Sequence, residues 1–193
     1  MTRICVFTGS RVGAGDEFAA AARELGALLA GRGHTVVFGG AQVGMMGVLA
    51  DAVLACGGRI IGVIPGHLTS REVAHPGLTE LRVVDSMHER KMVMSELSDG
   101  VIALPGAFGT LDELFEMLTW GQLELHRKPC GLLNVAGYFD ALLAFLDHAV
   151  ERRFLAPEHR AMLLAESDGA ALLDRMQAYA PPAVEKWSDP VSP

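Results

Sequence analysis

The sequence GVIALPGAFGTLDELFEMLTW, from Gly100 to Trp120, contains the pattern that decides the fold. Its apolar start predicts a buried strand over 101–104, and the small residues of 105–110 predict a tight turn. An amphipathic helix is predicted to begin near Leu111. Glycine lets a ligand approach the backbone closely, and the first amides of a helix have no intrahelical partner. Together with the helix dipole, these amides predict an anion site in the turn.

Glu113 lies in the first turn of that helix, where the dipole favours an ionised carboxylate. A phosphate on the turn would repel this carboxylate, so a ligand that reaches both must keep them apart. A nucleotide does so, with its phosphate on the turn, near the hydroxyl of Thr110, and its sugar near the acid. The alternative is that Glu113 is a solvated glutamate at a helix start, and this stretch alone does not decide between the two.

Short apolar runs alternate with helical segments on both sides of this stretch. The other predicted strands cover 3–7, 34–38, 59–64, 81–84 and 131–134, and the other predicted helices cover 16–30, 46–55, 87–97 and 138–153. This alternation predicts an α/β fold, a Rossmann-like doubly wound parallel sheet with helices on both faces. Ligands of such sheets bind beyond the carboxyl ends of the strands, at the topological switch point. We expect a single domain over 1–180 and an irregular proline-rich tail over 181–193.

Composition excludes several classes of protein. Of the 193 residues, 50% are hydrophobic and 20% are charged, so the chain can bury a sizeable core, and its net charge of -7 argues against a nucleic-acid partner. The three cysteines are isolated and show no metal-ligand or disulfide spacing. The N-terminus lacks the features of a signal peptide, and no uncharged apolar run is long enough to cross a membrane. These features predict a cytoplasmic protein without a metal site or a cofactor.

Two further turns are rich in small residues. The turn over 9–15 lacks GxGxxG, no acid follows the second strand, and no GxxxxGK[ST] occurs, which argues against dinucleotide binding and against the usual ATPases. Ser10 is a candidate substrate contact, although such a turn needs glycine for its geometry alone. The turn over 39–47, which includes Gly40, has more small residues than a connection requires. Close approach of a ligand or of a partner helix explains this excess.

The stretch DSMHERK, from Asp85 to Lys91, provides a second signal. Ser86 and Glu89 form a capping box, so a helix is predicted to begin directly after the serine. Arg90 and Lys91 then lie in its first turns, where the dipole disfavours cations. A nearby anionic group should therefore balance these two positive charges. The candidates are a bound ligand and structural salt bridges, for example to Glu89 or Asp85.

The motifs PGAFGTLDE (105–113) and SMHERK (86–91) resemble those of the LONELY GUY family, the cytokinin riboside 5'-monophosphate phosphoribohydrolases. Many members of this family have carried the label lysine decarboxylase. The segments FGGAQVGMMG, VIPGHL, EVAHPGLTEL and TWGQLELHRKP match in the same order. The resemblance therefore covers nearly the whole chain, up to about residue 180.

The resemblance implies a Rossmann-like homodimer that hydrolyses the N-glycosidic bond of AMP or an N6-modified AMP. The products would be the free base and ribose 5-phosphate. It also implies that Arg90 and Glu113 are the catalytic pair. The substrate-binding residues that it implies are Glu72, Lys91, Gly106, Ala107, Phe108, Gly109, Thr110, Leu111, Asp112 and Thr119. The glycine-rich turns add Ser10 and Gly40 as candidates.

Two positions depart from the family pattern. Ala107 stands where the family has the second glycine of PGGxGT, and Ala41 stands where it has the third glycine of GGG. Alanine costs little where φ is negative and considerably more where φ is positive. Phosphate affinity could therefore be weakened without loss of the fold.

The chemistry of glycosidic cleavage fits these residues independently of the family name. Cleavage builds positive charge on the sugar, and a carboxylate stabilises it electrostatically or by covalent attack. We assign this role to Glu113, while Arg90 would orient the phosphate, the base or Glu113 itself.

Two other functions are compatible with the fold or with the family label. One is a nucleotide or cofactor carrier that binds without turnover, as proteins resembling molybdenum-cofactor carriers do. The other is lysine decarboxylation, which we reject because it requires pyridoxal phosphate on a lysine and the turn over 105–110 contains no lysine.

Overall fold

A computed structural model describes residues 2–68 and 74–182 of the chain. Its strands are β1 (Arg3–Phe7), β2 (Thr35–Phe38), β3 (Arg59–Pro65), β4 (Glu80–Val84), β5 (Gly100–Ala103), β6 (Cys130–Leu133) and β7 (Leu163–Glu166). Its helices are α1 (Asp16–Gly31), α2 (Gly44–Ala55), α3 (Met87–Glu96), α4 (Phe108–Gln122), α5 (Asp140–Glu151), α6 (Pro157–Arg160) and α7 (Gly169–Gln177). No helix in these ranges is both long and apolar enough to span a bilayer. Residues 183–193 of the predicted tail lie outside the described residues.

All seven strands form one parallel sheet in the order β4-β3-β2-β1-β5-β6-β7. The chain moves outward from β1 to β4, returns to place β5 beside β1, and then moves outward in the other direction. The switch point therefore lies between β1 and β5, where Phe7 is paired with Ala103. Connections that leave these two strands on opposite faces open a crevice at their carboxyl ends. The predicted doubly wound sheet is confirmed.

Helices cover both faces of the sheet because successive strand residues point to opposite sides. Ile4 and Val6 of β1 belong to one buried cluster, whereas Cys5 and Phe7 belong to the other. The first cluster includes residues of α1, α2 and α7, and the second includes residues of α3, α4 and α5. Both faces are therefore apolar, which explains why the central strands have uninterrupted apolar sequences.

Several elements differ from the sequence prediction. β7 and α7 were not predicted; β7 has only four residues, lies at an edge of the sheet, and is fully buried only in its first half. α4 begins at Phe108, not near Leu111, because Gly109 and Thr110 already belong to its first turn. α5 begins at Asp140, two residues later than predicted, because the short 3-10 turn Val135–Gly137 precedes it.

Candidate active site

A cavity of about 720 Å³ opens at the switch point of the sheet. The turn after β1, the turn after β5, the first turn of α4 and one side of α3 line it. Its volume lies within the range of small-molecule sites, and its position is the one expected for a doubly wound sheet. The sequence predicted this location from the glycine-rich turns.

The turn after β5 has the geometry of an anion site. Ala107 is the N-cap of α4 and makes no side-chain capping bond, so the helix leaves its first amides to a ligand or to solvent. A Cβ at Gly106 would overlap the Oγ1 of Thr110 and lie 2.9 Å from the amide nitrogen of Gly9. Gly106 is therefore required by space, because the turns after β1 and β5 approach each other closely there. The amide of Gly9 also donates to the carbonyl of Pro105 at 3.2 Å.

Neither alanine that replaces a family glycine strains the backbone. Ala107 has φ of -118°, and Ala41 is not among the residues with positive φ. Ala41 is fully buried and pairs with Ala74 in an isolated antiparallel bridge. Both methyl groups are therefore accommodated without a left-handed conformation, so neither replacement strains the backbone of its turn.

Arg90 projects from the first turns of α3, and the predicted serine cap of this helix is confirmed, while the reciprocal bond of Glu89 goes to the residue before the cap. The Ser86 hydroxyl accepts from the Glu89 amide at 3.1 Å, and the Glu89 carboxylate accepts from the Asp85 amide at 2.7 Å. Arg90 is only 6% exposed, and its Nη2 donates to the carbonyl oxygen of Gly39 at 3.1 Å. Its Nε is buried without a hydrogen-bond partner in the described part of the chain. The guanidinium is thus fixed at the cavity wall with donor capacity to spare.

Lys91 does not line the cavity and pairs with two carboxylates of α4. Its Nζ lies 3.1 Å from Asp112 and 3.0 Å from Glu116, and its side chain is only 11% exposed. Burial opposes the charge, but the two carboxylates outweigh this effect and raise the pKa of Lys91. The salt-bridge alternative therefore holds for Lys91, with partners other than Glu89 and Asp85.

Glu113 lines the cavity and is half-buried. The prediction that it lies in the first turn of the helix is wrong, because α4 begins at Phe108 and its first turn contains no acidic residue. The charges of Glu113 and Arg90 also act on the buried thiol of Cys5, in β1. Burial raises the pKa of Cys5 well above its usual range, the charge of Glu113 raises it further, and the charge of Arg90 lowers it. Because Glu113 and Arg90 both line this cavity, a carboxylate and a guanidinium border one ligand space.

The other predicted residues fall into three groups. Ser10 and the segment 106–110 line the cavity together with Arg90 and Glu113. Thr119 borders a separate cavity of about 110 Å³, and its hydroxyl donates to the carbonyl of Phe115 at 2.7 Å. The predicted residues that do not line the main cavity in this chain are Gly40, Lys91, Leu111, Asp112 and Thr119. Glu72 lies outside the described residues.

Some cavity residues were not predicted from the sequence. Arg11 and Phe18 follow β1, and Tyr138 follows β6, where it was predicted to be the first residue of a helix. Four methionines also line the cavity: Met45, Met46, Met87 and Met94. The clustering of methionine over 45–94 was the only signal for the apolar part of the site. In the described ranges, no three His, Cys, Asp or Glu side chains are grouped to hold a metal ion.

Comparison with protein families and characterised proteins gives a consistent result. A family model described as possible lysine decarboxylase matches residues 46–176. The chain is 47% identical over 180 residues to the probable cytokinin riboside 5'-monophosphate phosphoribohydrolase LOGL5 of Oryza sativa subsp. japonica, covering 93% of this chain and 73% of that protein. It is 44% identical over 179 residues to the cytokinin riboside 5'-monophosphate phosphoribohydrolase LOG1 of Arabidopsis thaliana, covering 93% and 84%.

Solved structures share the architecture at lower sequence identity. The molybdenum cofactor binding protein of the phototrophic bacterium Rippkaea orientalis superposes with a TM-score of 0.70 at 24% identity, over 92% of this chain and 96% of that one. The molybdenum cofactor carrier protein of Chlamydomonas reinhardtii superposes with a TM-score of 0.69 at 20% identity, over 92% and 99%. Identities this low show a common fold and nothing about the ligand.

Proposed function

Because the chain belongs to the family of cytokinin riboside 5'-monophosphate phosphoribohydrolases, we propose that it hydrolyses the N-glycosidic bond of AMP or an N6-modified AMP. Water replaces the base at C1' of the sugar, and the products are the free base and ribose 5-phosphate. One observation carries the proposal: the phosphate turn, Glu113 and Arg90 line the same cavity at the switch point of the sheet.

The phosphate would bind in the turn over 106–110. The amides at the start of α4 and the positive end of its dipole favour an anion, and the Thr110 hydroxyl is close enough to Gly106 to add a donor. Binding energy gathered here, remote from the bond that breaks, positions the sugar for reaction. This explains why a nucleotide would be a better substrate than its nucleoside.

Glu113 would stabilise the positive charge that develops on the sugar. Its carboxylate is one helical turn beyond the phosphate turn, so a ribose that joins the phosphate to the base can lie against it. Carboxylates act in glycoside hydrolysis by electrostatic stabilisation or by covalent attack on the sugar. Either role requires the carboxylate of Glu113 to be ionised.

Arg90 would provide a fixed positive charge opposite Glu113. The bond from its Nη2 to the Gly39 carbonyl holds the guanidinium in place at the wall of the cavity, where its charge would act on the substrate or on Glu113. A buried guanidinium interacts strongly with an anion because water screens it little. The position of Arg90 also accounts for the glycine at residue 39, because a Cβ there would overlap its Nη2.

The base would lie against the apolar part of the cavity, formed by Met46, Met87 and Met94. Methionine side chains are flexible and polarisable, and they adapt to flat aromatic ligands. The remaining residues implied by the resemblance, including Glu72, Lys91 and Thr119, stay predictions of substrate binding.

A decarboxylase does not fit this cavity. Pyridoxal phosphate needs a lysine to form its Schiff base, and in the described part of the chain no lysine lines the cavity. Lys91 is paired with Asp112 and Glu116, and Lys128 donates to the Ser95 carbonyl at 2.6 Å. The label of the family model therefore does not describe the chemistry that we propose.

The proposal extends to a cytoplasmic homodimer, as the resemblance implies. α5 fully buries only Leu146, and Phe145 of this helix is 61% exposed. Phe154, just beyond its end, is 90% exposed. Such exposed aromatic side chains support burial against a second copy. The three free cysteines, two of them buried, support a reducing compartment.

The test is chromatography of the products formed from AMP, isopentenyl-AMP and the two nucleosides. We expect free base from the monophosphates and little from the nucleosides, because only the monophosphates engage the turn. Binding of monophosphates without release of base would refute hydrolysis and favour a carrier. Sedimentation of the same sample tests the dimer, and a monomer at micromolar concentration would contradict it.

A further inference from the structure

Tyr138 lies at the wall of the cavity and contacts the phosphate turn directly. Its hydroxyl donates to the carbonyl oxygen of Gly106 at 2.9 Å, although the two residues are 32 positions apart in the chain. The ring is held edge-on against Phe18, with centroids 5.7 Å apart, and against Phe139, with centroids 4.9 Å apart. The direction of the hydroxyl is therefore set by packing as well as by the hydrogen bond.

The loop that carries Tyr138 is built to place it there. Ala136 has φ of +50° and Gly137 has φ of +72°, so two successive residues adopt the left-handed conformation. A residue with a Cβ adopts this conformation only when its surroundings impose it, and such residues are concentrated at functional sites. Asn134 provides the restraint, because its side chain accepts from the amide of Phe139 at 2.8 Å and donates to Asp140 at 2.7 Å.

We propose that Tyr138 is a positioning residue that fixes the orientation of the Gly106–Ala107 peptide for binding of the substrate's phosphate. A peptide unit is planar and trans, so its carbonyl and its N–H point in opposite directions. With the Gly106 carbonyl held by Tyr138, the amide of Ala107 points away from the tyrosine. A rotation of this peptide, which glycine permits, would turn a carbonyl dipole toward the phosphate in place of an N–H.

The hydroxyl acts on the substrate through this peptide. The hydroxyl of a tyrosine can donate one hydrogen bond, and that of Tyr138 donates it to the Gly106 carbonyl. The second carbonyl of the turn, that of Pro105, is held independently by the amide of Gly9. The two hydrogen bonds together fix two successive peptides of the turn. One donor lies in the turn after β1, and the other lies in the loop after β6.

This inference rests on the proposed function only for the identity of the phosphate ligand, and the test separates the two. The variant is Tyr138→Phe, which keeps the ring contacts and removes the hydroxyl. Tyr179→Phe is the matched control, since Tyr179 packs against the first buried cluster and does not line the cavity. Calorimetry measures the Kd of ribose 5-phosphate and of adenine, and steady-state kinetics measures KM and kcat for AMP.

For Tyr138→Phe we expect the Kd of ribose 5-phosphate and the KM for AMP to rise about five- to tenfold, as the loss of one hydrogen bond predicts. The kcat and the Kd of adenine should change less than about twofold, because the turn is remote from the reacting bond. An unchanged Kd of ribose 5-phosphate, an equal loss of adenine affinity, or a wild-type protein that does not bind ribose 5-phosphate would each overturn the proposal. If no substrate is hydrolysed, the proposed function fails while the ribose 5-phosphate titration still decides the role of Tyr138.

Discussion

Gly39→Ala should disable the site by moving Arg90. A Cβ built at Gly39 would overlap the Nη2 of Arg90, would lie 3.3 Å from its Cζ, and would lie 3.0 Å from the Sδ of Met46. Because Gly39 does not have a positive φ, alanine adds no backbone strain there, and the whole effect is steric. The guanidinium must shift by about 1 Å and lose its bond to the Gly39 carbonyl. Misplacement on this scale can lower kcat/KM about 100-fold.

The assay is base release from AMP, with thermal unfolding measured on the same samples. A 100-fold loss corresponds to about 2.7 kcal/mol of transition-state stabilisation, and the overlap should also cost about 1–3 kcal/mol of folding stability. Gly31→Ala is the matched control, because nothing lies within 4 Å of a Cβ at that exposed helix end. A Gly39→Ala enzyme with kcat/KM within twofold of wild type would refute the reasoning.

A second comparison isolates the contact between Gly39 and Arg90. In an Arg90→Ala background the guanidinium is absent, so Gly39→Ala should destabilise the protein less than it does in the wild type. This result does not depend on activity. Equal destabilisation in both backgrounds would show that the added methyl acts through another neighbour, of which Met46 is the candidate.

Two further predictions concern the phosphate turn and the stability of the fold. Ala107→Gly should leave the KM for AMP within about twofold of wild type, since Ala107 has φ of -118° and needs no glycine; a large gain in affinity, measured by kinetics, would contradict this account. Burial lowers the pKa of His126, whose neutral ring donates to the Met117 carbonyl and accepts from the Lys128 amide. As pH falls below about 6.5 the unfolded chain takes up the proton first, so stability should decline. In His126→Gln this contribution is absent, so the free energy of unfolding, measured with denaturant across that pH range, should decline less than in the wild type. An identical pH profile in the variant would contradict the prediction.

The local pattern of the chain predicted the elements that surround the site. The strand and helix around 101–120, the capping box at Ser86 and Glu89, and the glycine-rich turns each depend on neighbouring residues. The parallel sheet with helices on both faces followed from the apolar character of its strands. The short edge strand Leu163–Glu166 has no such pattern, because only its first half is fully buried.

The contacts that complete the site join residues that are distant in sequence. Arg90 and Gly39 are 51 positions apart, Lys91 and Asp112 are 21 apart, and these pairings depend on how α3 packs against its neighbours. Sequence analysis identified Arg90 and Lys91 as cations that need compensation but could not assign partners. The conformation of Ala136 is likewise imposed by tertiary contacts.

The central claim is that Glu113 acts on the sugar of a bound nucleotide, and one substitution tests it most directly. Glu113→Gln keeps the size and hydrogen-bonding capacity of the side chain and removes its charge. Glu24→Gln, on the exposed side of α1, is the matched control. Chromatography of free base released from AMP should show a loss of at least about 100-fold in Glu113→Gln, with wild-type rates in Glu24→Gln and unchanged binding of ribose 5-phosphate. Wild-type rates of base release in a folded Glu113→Gln protein would contradict the account.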